Sequence, residues 1–194
     1  MRSLYGNCIT DDVTEIPRSC SIAIQSDVAW RAALRPLTDL PDILRIEKLC
    51  YDFPWSEQLI RDCLKVGYHS LVLREEGDIR AYAFASGAAG ESHILNICVD
   101  PDHRRQGYAK VLLRQCIATV MINGARVMFL EVRESNRGAV ALYESMGFVE
   151  IGRRDNYYRK LATTKKHKGA GAGTREDALL MSRDLSIIED ENDL

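Results

Sequence analysis

No stretch of this 194-residue chain stays apolar for long enough to cross a bilayer. The opening MRSLYGNCITDDVTEI lacks the apolar centre of a secretory signal. Both absences point to a cytoplasmic protein without a membrane partner. Histidine is scarce: His69, His93, His103 and His167 are the four, and none stands at zinc-ligand spacing from a cysteine. The six cysteines (Cys8, Cys20, Cys50, Cys63, Cys98 and Cys116) include no CxxC pair. No metal is therefore expected. No recognisable signature sets a base beside a cysteine nucleophile either. Net charge is nearly absent, −2 at pH 7, so the chain as a whole is no polyanion binder and no nucleic-acid partner is expected.

What is present suits one folded domain with a sizeable core: 46% apolar and 28% charged residues. Residues 1–29 mix polar and apolar letters without a period and read as an extension, partly disordered. Residues 30–186 carry the periodic segments. Residues 187–194 are an acidic, solvated tail. Within the domain, the glycine-rich basic stretch 159–174 reads as a flexible insertion. Its GAGAGT lies after the lysines and before a strand, the wrong context for a phosphate loop.

AALRPLTDL reads as a short strand and turn, followed by a helix over PDILRIEKLCYD with Pro41 in its first turn and Ile43, Ile46, Leu49 and Cys50 on the buried face. Ser56 caps a second helix, which Gly67 ends. HSLVLRE, IRAYAFASG and SHILNICVD are strands. A helix from Gly107 to Asn123-Gly124 follows, then the strand RVMFLEVR, the helix SNRGAVALYESMG, and the strands FVEIGRRDNYY and DALLMSRDL. Cys50, Cys63, Cys98 and Cys116 fall within apolar patterns and read as buried thiols. The order predicts a mixed α/β domain: a largely antiparallel sheet flanked by helices, with one crossover in the middle.

The most informative stretch is RRQGYAKVLL, residues 104–113. A glycine at a helix start costs roughly 1 kcal/mol relative to alanine, so its presence needs a reason. A helix N-terminus has unpaired N–H groups and partial positive charge, and accepts a phosphate where no side chain blocks it.

NICVDPDHRRQGYAKVLL, LEVRESNRGAVALYESMGF and RRDNYY together resemble the GNAT acetyltransferases, and within them the RimI family. The similarity spans about residues 31–185. It implies the acyl-CoA N-acyltransferase fold and acetyl-CoA as co-substrate. The partner it implies is a protein N-terminus, that of a small-subunit ribosomal protein beginning with alanine. By the same resemblance, the backbones of Arg104, Arg105, Gln106, Gly107, Tyr108, Ala109 and Lys110 cradle the CoA pyrophosphate. Ile97, Cys98 and Val99 pair with the pantetheine arm, and Asn136 and Tyr143 contact the cofactor. The side chains of Arg104, Arg105 and Lys110 then supply nearby positive charge; the alternative for the two arginines is a solvated face, and for Asn136 an N-cap.

Acetyl transfer to an amine needs a proton acceptor and a proton donor for the departing thiolate. Glu131, a carboxylate in an otherwise apolar strand, is the candidate base; the alternative is a solvent-facing carboxylate. Tyr143 is the candidate acid; the alternative is a core aromatic. Phe53, Pro54, Trp55, Tyr157 and Tyr158 resemble the walls of a peptide groove, or are packing around a helix break. The RimI resemblance favours N-terminal acetylation. A small amine or a lysine side chain as acceptor, and a silent acyl-CoA-binding module, are the alternatives.

Overall fold

The computed structural model describes residues 30–31, 36–160 and 175–186. The expectations for the N-terminal extension, Cys8, Cys20, most of the 159–174 insertion and the acidic tail lie outside the described residues.

Seven strands form one sheet in the order β1-β2-β3-β4-β5-β7-β6. They are β1 (Trp30–Arg31), β2 (His69–Glu75), β3 (Asp78–Ala88), β4 (Glu91–Val99), β5 (Val127–Arg133), β6 (Val149–Arg159) and β7 (Arg175–Asp184). Every pairing is antiparallel except β4 with β5. That parallel pair needs a crossover, and helix α3 (Tyr108–Ile122) provides it. The remaining helices are α1 (Pro36–Cys50), α2 (Glu57–Val66) and α4 (Arg137–Ser145). The mixed, largely antiparallel architecture expected from the sequence is the one observed.

Two cores sandwich the sheet. One face of β2–β5 and β7 buries Leu112, Leu113, Cys116, Ile117 and Val120 of α3 together with Ala139 and Tyr143 of α4. The other face of β2–β4 buries Leu40, Ile43 and Ile46 of α1 and Ile60 and Cys63 of α2. The spacing of these residues is what made both helical faces readable. Local caps fix the ends: the Ser56 hydroxyl accepts from the Leu59 N–H at 3.2 Å, and Gly67 closes α2 at φ +83°.

Helix α1 differs from the sequence reading. It begins at Pro36, so PLTDL is its first turn rather than a turn after a strand, and Pro41 lies inside the helix. Pro36 is well suited to a first helical position, which has no use for an N–H. The earlier start also corrects the buried face. Leu49 is 57% exposed and Cys50 half-buried, while Leu40 and the charged Glu47 are buried. Cys63, Cys98 and Cys116 are buried thiols as expected, and burial pushes the Cys116 thiol up to about 12. The strand FVEIGRRDNYY runs on to Arg159, so the insertion begins one residue later than expected.

Candidate active site

Strands β4 and β5 start together and then part. Their ladder joins Glu91–Ile94 to Val127–Leu130 and stops there. Beyond it, β4 keeps pairing with β3 out to Val99, and β5 with β7 out to Arg133. A register shift in β4 opposite Phe84/Ala85 coincides with the end of the ladder. Such a bulge bends its strand and increases the local twist. The result is a gap between the carboxyl ends of two parallel strands, where open α/β sheets bind ligands.

Ile97 and Val99 send their side chains into the α3/α4 core, and Cys98 into the α1/α2 core. What this stretch can offer a ligand is therefore backbone. The Cys50 thiol donates to the Val99 carbonyl at 3.4 Å. The Arg104 guanidinium donates to the same carbonyl at 3.4 Å and to Cys50 Sγ at 3.2 Å.

The N-terminus of α3 follows a 3-10 turn over Pro101–His103, which the Asp100 carboxylate caps by accepting from the Asp102 N–H. Arg105 and Gly107 both have left-handed backbone, φ +69° and +81°. No side chain caps the helix. Its first internal bond here is from the Val111 N–H to the Gly107 carbonyl, so the N–H groups of Tyr108, Ala109 and Lys110 precede it. Arg105, Gln106 and Gly107 are exposed around this end. The Tyr108 side chain turns away, its hydroxyl donating to Glu75 Oε1 at 2.7 Å. Tyr108 can thus serve the helix end only through its N–H. A donor set of N–H groups under positive backbone charge fits a pyrophosphate.

Glu131 lies on β5 just past the end of the β4 ladder, and it is buried. This removes the solvent-facing alternative. Its carboxylate lies 3.1 Å from Arg154 Nη2, and its backbone carbonyl accepts from the Tyr158 hydroxyl at 3.3 Å. A cleft of roughly 100 Å³ beside it is lined by His93, Phe129, Ile151, Arg154 and Leu180. The His93 ring faces Phe129 at 5.2 Å, and burial holds its pKa below the usual histidine value although Glu91 and Glu131 pull it up. Tyr143 is fully buried on the opposite face of the sheet, edge-on to Phe148 with centroids 5.8 Å apart. Asn136 caps α4, its Oδ1 accepting from the Ala139 N–H at 3.2 Å.

The aromatic candidates are split between the loop after α1 and the end of strand β6, which meet. Arg159, at the end of β6, stands 6.0 Å from the exposed ring of Phe53. Tyr157 and Tyr158 are edge-to-face at 5.0 Å. Pro54 is exposed, and Trp55 is half-buried with its ring 5.8 Å from Phe84. What anchors Trp55 was not legible in the sequence. Its N–H donates to Glu47 Oε2 at 3.0 Å, and the same buried carboxylate receives the Tyr82 hydroxyl and the Asn96 amide. Burial raises the Glu47 pKa against the pull of these bonds. Glu47 thus ties the loop after α1 to the bulged part of β4.

A family model described as "Acetyltransferase (GNAT) family" matches residues 40–148, more than half of the chain. The chain belongs to the GNAT family. Its relatives include the [ribosomal protein bS18]-alanine N-acetyltransferase of Escherichia coli (strain K12), 38% identical over 150 residues, which is 77% of this chain and 94% of that one. Among solved structures, the crystal structure of the ribosomal-protein-S18-alanine N-acetyltransferase from Escherichia coli superposes with a TM-score of 0.72 at 34% identity, covering 85% of this chain and 97% of that one. The yncA protein of Salmonella typhimurium, solved with its cofactor acetyl-CoA, gives 0.65 at 19% identity, covering 87% and 100%, and speaks to the fold alone. Among the described residues, no helix of this GNAT chain is long and apolar enough to cross a membrane.

Proposed function

We propose that this GNAT enzyme transfers the acetyl group of acetyl-CoA to the N-terminal α-amine of a protein, and that the protein is ribosomal protein bS18 with its terminal alanine. The observation that carries the reading is the 38% identity spread over 94% of the E. coli bS18-alanine N-acetyltransferase. Such a substrate is met in the cytoplasm.

Acetyl-CoA supplies an activated thioester carbonyl. The N–H groups of Tyr108, Ala109 and Lys110 receive its pyrophosphate, with Arg105 and Lys110 adding positive charge. The backbone of Ile97–Val99 holds the amide-bearing arm in the gap beside β5. Glu131 takes the proton of the incoming ammonium. An α-amine has a pKa near 8, so roughly a tenth is already neutral at pH 7 and a carboxylate base is sufficient. Tyr143 gives a proton to the departing sulfur. Phe53, Pro54, Trp55, Tyr157 and Tyr158 wall the first residues of the peptide, where rigid rings give contact area at low entropy cost.

The test is acetyl-CoA turnover against peptides that differ only in their first residue, with N-acetylated versions as controls. The expected result is preference for the bS18 terminus with alanine first and no turnover of the blocked peptides. Turnover of small amines with none on any peptide would overturn it.

A further inference from the structure

Glu131 does not face the cleft alone. Arg154 reaches it from β6, across the intervening strand β7. The β7 residue opposite Arg154 is Ala178, whose short side chain leaves the guanidinium room to cross. The other cation on this face of β5, Arg133, is committed elsewhere: it bridges to Glu176 and lies over the Tyr158 ring at 4.4 Å. Arg154 is half exposed and has a second surface within reach, the Tyr157 ring, 5.5 Å from its guanidinium carbon.

From this arrangement we infer that Arg154 is a resident counter-ion of Glu131 with which the substrate's ammonium competes, and that it lowers the enzyme's affinity for amine substrates. The inference rests on Glu131 being the base. A protonated α-amine approaching Glu131 carries the same charge as the guanidinium already there. The two cations compete for the charge of one carboxylate, so amine binding loosens Arg154, and the Tyr157 face is the seat that receives it. Arg154 is half exposed, so water screens its side of the pair, which makes the exchange easy and its effect modest.

The experiment compares the full chain with Arg154→Gln and Arg154→Lys, using acetyl-CoA and whichever amine acceptor the wild type turns over. Removing the charge is expected to lower the acceptor's KM about two- to fivefold at low salt, with kcat moving less. Arg154→Lys should stay near the wild type. The gain should fade in about 1 M salt, where charges are screened over a few ångströms. Inhibition by the N-acetylated peptide, which has no ammonium, should be unchanged. A raised KM would make Arg154 a direct ligand of the peptide, and an unchanged KM would make the pair inert; either overturns the inference. Because any amine acceptor suffices, failure of the bS18 peptides in the wild type would count against the substrate reading and leave this measurement intact.

Discussion

Glu131 and Tyr143 approach the parted strands from opposite faces of the sheet, an arrangement that suits their proposed roles at the amine and at the sulfur. Glu131→Gln keeps the shape of the side chain and removes its capacity to accept a proton. Turnover should fall roughly a hundredfold at neutral pH, the usual size of a general-base contribution. The deficit should narrow as pH rises past the α-amine's pKa near 8, where the amine loses its proton unaided. A flat deficit measured in a pH series would remove Glu131 from that role. Tyr143→Phe keeps the buried ring against Phe148. It should lower kcat by roughly tenfold to a thousandfold while acetyl-CoA binds within a few-fold. Full kcat with a lowered melting temperature would make the hydroxyl a servant of the core.

At the level of elements, the start of α3 is the proposed seat of the cofactor's pyrophosphate. Gly107 has φ +81° and open space around its missing Cβ, so a substitution there meets strain rather than a collision. Gly107→Ala should cost about 1 kcal/mol of stability through that strain, read by thermal unfolding. A larger loss of acetyl-CoA affinity by calorimetric titration should accompany it; affinity that falls no further than stability would separate Gly107 from the phosphate. Most elements were legible beforehand because their ends carry local chemistry. Ser56, Gly67, Gly107 and Gly147 mark boundaries by their own conformational needs. The start of α1 was not, since two prolines five residues apart, Pro36 and Pro41, both look like beginnings. Glu47 was not either. A charged letter in an amphipathic helix reads as solvent-facing, and only the arrival of Tyr82, Asn96 and the Trp55 N–H makes its burial tolerable. The Arg154–Glu131 pair joins strands that are not neighbours, and register shifts in β6 change which residues share a face. No spacing rule reaches across such a gap.

For the whole molecule, stability against pH hangs partly on a tie between α1 and the end of β4. Arg45 holds the buried Asp100 carboxylate at 2.7 Å. Burial raises the Asp100 pKa, but Arg45, the Asp102 N–H and His103 outweigh it, and the net value lies below the ordinary one of 3.8. A depressed folded-state pKa contributes stability above the unfolded value and loses it as pH falls through the folded one. Arg45→Met should therefore destabilise the fold by about 1 kcal/mol at neutral pH, after allowing for the exposure of Arg45. In urea titrations the difference should shrink below about pH 4, as the unfolded carboxyl takes up its proton. A difference that persisted in acid would assign the effect to lost packing of the arginine stem.

The short ladder between β4 and β5 also has a mechanical meaning. The ladder between the β1–β4 plate and the β5–β7 plate has four residue pairs among the described residues, and the Gly90 carbonyl, accepting from the Arg126 and Val127 N–H groups, and the Ser92 hydroxyl, donating to the Val127 carbonyl, reinforce the same end. The two plates are leaves joined at one end of a spine, and their far ends are kept in line by side-chain packing through α3 and α4 rather than by the backbone. A cofactor arm lying along Ile97–Val99 would extend the seam toward the free end, as a splint stiffens a split board. The chain's rigidity would then be completed by its own co-substrate, and each turnover would begin with the sheet being made whole and end with its coming apart.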